Sequence, residues 1–390
     1  MKESITAFLD DNFDLFKEVA RYIWEHPELG YNEYQSSNKL IGTLRSFGFE
    51  VEQNIEGMET AFIAVYDSGQ SGPSISFLAE YDALPEIDHA CGHNLIGTMS
   101  TAAGIALSRV LAETGGKVLV YGTPAEETGG AKVHLTDKGY FDRADAALMC
   151  HPYKAFERSG SSMAMEALQF DFKGKSAHAA ASPHEGINAL DAVISLFNNV
   201  NALRQQVTPD VRIHGVITQG GTVPNVIPDR TQAKFYVRAS TVEQLPDLVR
   251  RVKDCAAGAA MSSGCEWEAS HYELGYANLL TNESMSDAFT KNLVSLGIPL
   301  EEIETGNDHG SLDLGNVSQV IPAIHPYIKI TDAFHNLHTR EFCTAANSEK
   351  GYDGMLIGAK SLALTGYDLL TNPQLLKTVK EEFKNREKRT

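Results

Sequence analysis

The sequence predicts an α/β protein built on a mixed, largely parallel sheet with flanking helices, and three observations predict it. Apolar, β-rich runs alternate with segments of helical periodicity over residues 1–165. Each run ends in a polar loop, and the loops after 74–79, 117–121 and 146–149 gather Cys, His or Glu. From about 166 the order changes to β-α-β-β-α-β, the ferredoxin-like arrangement, and the first pattern resumes near 276. The expected division is 1–165 together with 276–390 as one domain, and 166–275 as an inserted one.

Residues 5–24 set Phe8, Leu9, Phe13, Phe16, Val19, Ala20 and Ile23 at helical spacing, and a second helix runs over about 35–47 until Gly48 ends it. His26-Pro27-Glu28-Leu29-Gly30 between them reads as a turn. Strand-like runs follow at 60–66 and 74–79, the second leading into Glu80-Tyr81-Asp82 and then His89-Ala90-Cys91-Gly92-His93-Asn94. A helix of small residues covers 97–113. The short run 117–121 ends in Gly122-Thr123-Pro124-Ala125-Glu126-Glu127, and the run 146–149 ends at Cys150-His151-Pro152. In parallel sheets, sites form beyond the carboxyl ends of strands, where all these candidates fall.

The insert is expected as a strand at 168–172, a helix at 186–206 with Ile187, Leu190, Val193, Ile194, Phe197 and Val200 on one face, strands at 211–218 and 231–239, a helix at 242–261 and a strand at 266–272. The tail reads as a helix at 283–296, a glycine-rich passage over 305–318, a loop at 332–341 holding His335 and His338, and a helix at about 344–365.

A chain of 390 residues exceeds what one core usually organises, which supports two domains. The net charge of -18 argues against nucleic acid or an anionic membrane as partner. No apolar run approaches the roughly 20 residues of a membrane span, and the N-terminal stretch reads as an amphipathic helix instead of an export signal. Five scattered cysteines do not suggest a disulfide framework, so a reducing, cytoplasmic location is expected.

Cys91 and His93, two residues apart across Gly92, can each offer a ligand to one metal ion. By itself the pair describes a buried thiol and hydrogen-bonded histidines equally well; remote ligands decide. The candidates are Cys91, His93, Glu127, His151 and His338. Thiolate, imidazoles and one carboxylate favour zinc over magnesium or calcium, with manganese, cobalt and nickel open. Two ions a few Å apart would polarise a carbonyl and activate a water. Adjacent Glu126 and Glu127 point in different directions on an extended loop, so one can ligate while the other faces the water as general base. A solvated acidic pair is the plain alternative.

The segments 89–94, Pro124-Ala125-Glu126-Glu127, His151, Gly174-Lys175-Ser176-Ala177-His178-Ala179-Ala180, Asn225-Val226-Ile227-Pro228 and Leu337-His338-Thr339 together resemble the dinuclear amidohydrolases of peptidase family M20. The similarity runs in order over nearly the whole chain. Within the family it leans to the branch of the p-aminobenzoyl-glutamate hydrolases and HmrA-like amidohydrolases. The resemblance implies a zinc-peptidase-like catalytic domain, two divalent metal ions, and an insert that serves as lid and homodimerisation domain. It further implies that Cys91, His93, Glu127, His151 and His338 are ligands and Glu126 the base. His178 would reach the substrate carbonyl, commonly in the partner's site, and Asn225, Arg238 and Ser311 would contact substrate. The implied substrate is an N-acyl or N-aroyl amino acid or a dipeptide.

Two departures stand out. Asn94 occupies a position where many relatives have Asp, and Leu312 one where close relatives often have Thr. His89 and His335 are given structural or supporting roles. Two other readings compete: a metal-binding protein of the same fold without activity, and a cysteine hydrolase using Cys91, which would leave the carboxylate pair unexplained.

Overall fold

Strand-forming runs separated by glycine- and proline-rich turns assemble into two units in the computed structural model, which describes residues 1–306 and 310–386. Residues 307–309 of the glycine-rich passage lie outside the described residues. The first unit is Met1–Ser161 with Leu279–Thr390, and the second is Ser162–Asn278.

In the first unit six strands lie side by side in the order Glu50–Ile55, Met58–Asp67, Lys117–Gly122, Ser74–Ala79, Ala146–Leu148, Ala323–Ile324. The first two pairings are antiparallel and the remaining three parallel. Ser74–Ala79 is almost wholly buried, as expected of a strand covered on both faces, and its buried Ser76 donates to the Ala146 carbonyl. The parallel strands end on one edge of the sheet. The residues that follow them include Glu80 and Asp82, Glu126 and Glu127, His151, and His325.

The helix His93–Ser108 is buried along its whole length. Its small residues permit that approach: a Cβ at Gly104 would come within 2.5 Å of Val120 Cγ2 on the sheet. This helix starts four residues earlier than its periodicity suggests, because Gly92 accepts from Leu95 N and begins the helical hydrogen bonding. Cys91 and His93 therefore flank a helix N-terminus. The expected helix over 5–24 is two, Lys2–Asp11 and Phe13–Glu25, parted at Asn12. The strand Glu50–Ile55 escapes sequence reading because it is a polar, mostly exposed edge without apolar alternation.

The second unit holds a four-stranded antiparallel sheet in the order Glu266–His271, Ala164–Lys173, Arg230–Ala239, Arg212–Gln219. Helices Ala189–Leu203 and Leu245–Ser263 contribute Val193, Leu196 and Val252 to a core shared with Leu168, Phe170, Phe235 and Val237. The apolar alternation of Arg230–Ala239 is what turns one face of that strand inward. Element order and strand order together make the ferredoxin-like βαββαβ unit. Among the described residues no helix is long and apolar enough to cross a membrane.

Candidate active site

Gly92 adopts φ 81, a conformation open to glycine at little cost, and a Cβ there would sit 2.5 Å from Pro152 Cγ. The backbone bend thus presses the Cys91–His93 turn against the His151-Pro152 segment. Cys91 Sγ lies 3.4 Å from His151 Nε2, and the other ring nitrogen, Nδ1, is 2.7 Å from the Pro152 carbonyl. His93 is held the same way: Nδ1 is 2.8 Å from Asp82 Oδ1, which leaves Nε2 3.5 Å from Glu80 and 3.9 Å from Glu127. His338 enters from the opposite loop, at φ 62, its N–H donating to the Ala90 carbonyl and its Nε2 3.1 Å from Glu127 Oε1.

The five expected ligands and Glu126 thereby meet in overlapping groups: Cys91, His93 and His151; Cys91, Glu127 and His338; His93, Glu126 and Glu127. Within each group the donor atoms lie within 4.8 Å of one another. Two divalent ions fit this donor set. His93 and His151 each fix their outer nitrogen on the protein and turn the inner one to the cluster, as metal-bound imidazoles do. His93 Nε2 and Glu127 Oε1 are buried without a hydrogen bond, Glu127 Oε1 even with His338 Nε2 close by. Unsatisfied lone pairs converging at such distances are costly unless a cation takes them.

Charge is concentrated here. Burial and then Glu127 push the Cys91 thiol well up. Burial, followed by Glu127 and Glu80, raises Glu126 far above the usual carboxylate range. Burial alone would lower His93, but Cys91 and Asp82 outweigh it and hold the imidazole well up. Asp82 is lowered, because His93 overcomes the burial that opposes its ionisation. A metal ion bound by Cys91 and His93 would displace the protons these two groups hold.

Four supporting residues escape a search for ligands: Glu80, Asp82, Lys132 and Asp313. Lys132, fully buried, donates to Glu80 Oε1 at 2.6 Å and to Asp313 Oδ1 at 2.7 Å. The available signal is Glu80-Tyr81-Asp82, two carboxylates at strand spacing straight after the buried strand Ser74–Ala79.

The other candidates separate. His89 is buried, its Nε2 3.0 Å from the Ile23 carbonyl, and it belongs to none of the ligand groups among the described residues. Asn94 donates to the carbonyls of Ala20 and Ala346, so orientation of His93 falls to Asp82 and the Asp-to-Asn departure leaves it untouched. Leu312 is buried in the core of the first unit, and half-buried Ser311 lies beside it. His335 is half-buried in the loop leading to His338. His178, Asn225 and Arg238 belong to the second unit. His178 Nδ1 accepts from the N–H groups of Ala180 and Ala181, and the Asn225 carbonyl accepts from Ala179 N. The Arg238 guanidinium lies 5.3 Å from the Tyr236 ring centre.

Residues 163–262 match the family described as Peptidase dimerisation domain. The Xaa-Arg dipeptidase of Mus musculus is 38% identical, over 98% of this chain and 92% of its own. A p-aminobenzoyl-glutamate hydrolase polypeptide of Escherichia coli is 30% identical, over 97% and 95%. Among solved structures, a dinuclear metal-binding peptidase of the M20 family from Bacillus subtilis superposes with a TM-score of 0.66 at 18% identity, over 92% of this chain and 99% of its own. The structural likeness speaks for the fold and the sequence likeness for descent: the chain belongs to the M20 peptidase family of metal-dependent hydrolases of amide bonds.

Proposed function

We propose that this protein hydrolyses the amide bond of dipeptides or of N-acyl or N-aroyl amino acids, using two divalent metal ions per subunit, zinc first among them and manganese, cobalt or nickel as alternatives. The observation that carries the reading is the convergence of thiol, imidazole and carboxylate donors in three overlapping groups, two sharing Cys91 and two sharing His93. Cys91, His93, Glu127, His151 and His338 are the ligands. The names of the two relatives, dipeptidase and p-aminobenzoyl-glutamate hydrolase, support this pair of substrate classes.

When bound, the ions polarise the amide carbonyl and lower the pKa of a water. Glu126 accepts the proton of the attacking water and delivers it to the leaving nitrogen as the C–N bond breaks, yielding a carboxylate and an amine. His178 stabilises the oxyanion of the tetrahedral intermediate. Asn225, Arg238 and Ser311 contact the substrate, the Arg238 guanidinium being suited to bidentate contact with a carboxylate.

The inserted unit serves as lid and homodimer contact. Its edge strand Arg212–Gln219 leaves Val216 60% and Ile217 41% exposed, an apolar edge suited to pairing. In this reading His178 acts in the partner's site. The five free cysteines suit a reducing cytoplasm.

The test is amine release from a panel of dipeptides, N-acyl and N-aroyl amino acids by protein reconstituted with each metal in turn. Release that chelation abolishes and metal restores is expected. Metal-loaded protein inert on the whole panel would favour a metal-binding role without turnover, and activity surviving rigorous chelation would favour Cys91 as nucleophile.

A further inference from the structure

Three buried carboxylates pin the loop that carries Glu126 and Glu127 and the start of the helix Ala131–Asp137 that follows it, each taking one backbone N–H. Ala125 N donates to Glu33 Oε1 at 2.8 Å, Glu127 N to Asp82 Oδ2 at 3.0 Å and Lys132 N to Asp313 Oδ2 at 3.2 Å. Asp82 and Asp313 have further partners in His93 and Lys132. Glu33 is different. It lies in the turn that follows the second helix, fully buried, and its other oxygen accepts from Thr60 Oγ1 at 2.9 Å.

Burying a carboxylate beside others is costly, and the arrangement around Ala125 gives the reason. Ala125 stands at φ 60, a region that non-glycine residues seldom occupy, and it directly precedes Glu126. Such a conformation persists only where its surroundings over-determine it. Those surroundings come from the same turn as Glu33. A Cβ on Gly30 would lie 2.2 Å from Thr128 Oγ1 and 2.8 Å from Ala125 Cβ, so the turn is seated directly on the loop. Tyr31, itself at φ 63, donates from its hydroxyl to the Gly129 carbonyl at 3.1 Å. Contacts at 125, 128 and 129 thus bracket the two glutamates on both sides.

We propose that Glu33 is a positioning residue for hydrolysis: through the N–H of Ala125 it fixes the direction in which Glu126 and Glu127 leave the loop, and the turn 30–33 is a working part of the active site. The proposal rests on the roles given to those two glutamates above. It distinguishes three substitutions. Glu33→Asp withdraws the acceptor by one methylene. Glu33→Gln keeps an acceptor oxygen for Ala125 N, while the Thr60 hydroxyl can turn to accept from the new amide. Thr60→Val leaves the Ala125 bond in place.

The experiment measures kcat and KM on the best substrate of the panel, zinc affinity of the metal-free protein by competition with a chelator, and melting temperature. For Glu33→Asp the expected result is a kcat loss of about 100-fold with KM within about threefold of wild type, and zinc affinity weakened about tenfold. Glu33→Gln and Thr60→Val should stay within about threefold of wild type in both kcat and zinc affinity. A role confined to stability would lower the melting temperature of Glu33→Asp and leave kcat of the folded protein and zinc affinity unchanged; that result overturns the proposal. So does a Glu33→Gln protein as impaired as Glu33→Asp.

Should Glu33→Asp fail to fold, Gly30→Ala asks the same question by pushing on Ala125 and Thr128 from the same turn. The same loss of kcat at unchanged KM supports the proposal, and wild-type kcat overturns it. If wild type is inert on every substrate the amidohydrolase reading falls, and zinc affinity alone decides the role of Glu33. If wild type is active and Glu33→Asp loses neither kcat nor affinity, that reading stands and the positioning role falls.

Discussion

Oδ1 of Asp82 lies 2.8 Å from Nδ1 of His93, while the other oxygen of the same carboxylate accepts from the backbone N–H of Glu127. One buried side chain thereby orients an imidazole at a helix N-terminus and fixes the loop bearing the candidate base. Asp82→Asn can satisfy only one of these partners, because its amide nitrogen would face a donor. Metal affinity should fall about 10–100-fold, read by chelator competition. An affinity equal to wild type would mean that His93 needs no help from Asp82.

Glu126→Gln keeps the shape of the side chain and removes its ability to take a proton. With two ions per subunit still present by elemental analysis, kcat should fall by about 10²–10⁴-fold. A variant that turns over at a comparable rate would remove Glu126 from the base role.

Lys132 sits between Glu80 and Asp313 with no exposure to solvent. Burial would lower its pKa, yet Asp313, Glu80 and Glu126 hold it raised, so the ammonium is a fixed charge of the interior. Lys132→Met leaves two buried carboxylates facing each other and should cost about 3–5 kcal/mol in urea unfolding. Adding Asp313→Asn should recover part of that loss, since one uncompensated charge is removed. Additive losses in the double variant would dissolve the network.

The division between what the sequence reveals and what it conceals follows from distance along the chain. Cys91 and His93 announce themselves by spacing, and Glu126 with Glu127 by adjacency. The inserted unit is legible because a strand such as Arg230–Ala239 alternates apolar and polar residues cleanly. Lys132 and Asp313 carry no such mark: they are 181 residues apart and meet only because the fold brings together the starts of the helices Ala131–Asp137 and Leu314–Val320. Glu33 reaches Ala125 across 92 residues for the same reason. Asn94 misleads in the opposite direction. A neighbour of His93 in sequence, it faces two backbone carbonyls, and the orienting carboxylate, Asp82, comes from the segment after the strand Ser74–Ala79.

If His178 works in the site of a second protomer, two defects can complement. His178→Ala and Glu126→Ala proteins, each inactive alone, should regain activity after the protomers are exchanged, because one of the mixed sites then has both residues intact. Exchange confirmed by tagged protomers without any recovery would assign His178 to the site of its own chain.

Glu33 also predicts a pH dependence of stability opposite to that of a carboxylate held ionised by a cationic partner. Burial, reinforced by Asp82, raises it from 4.5 to about 7, against the hydrogen bonds it accepts from Thr60 and Ala125. In the unfolded chain the group ionises near the ordinary value. Between the two pKa values the folded protein therefore holds a proton that the unfolded chain has lost, and stability must fall as pH rises through that window. The stabilisation is fully present below the unfolded pKa and gone above the folded one. Over the whole window the effect is on the order of 3 kcal/mol. Glu33→Gln has no proton to lose there. The stability of wild type relative to this variant should decline from acid to neutral pH, measured by urea unfolding of metal-free protein at constant ionic strength. A difference that stays level across that range would mean that Glu33 is ionised in the fold throughout, and that the N–H of Ala125 is held by a carboxylate even in mild acid.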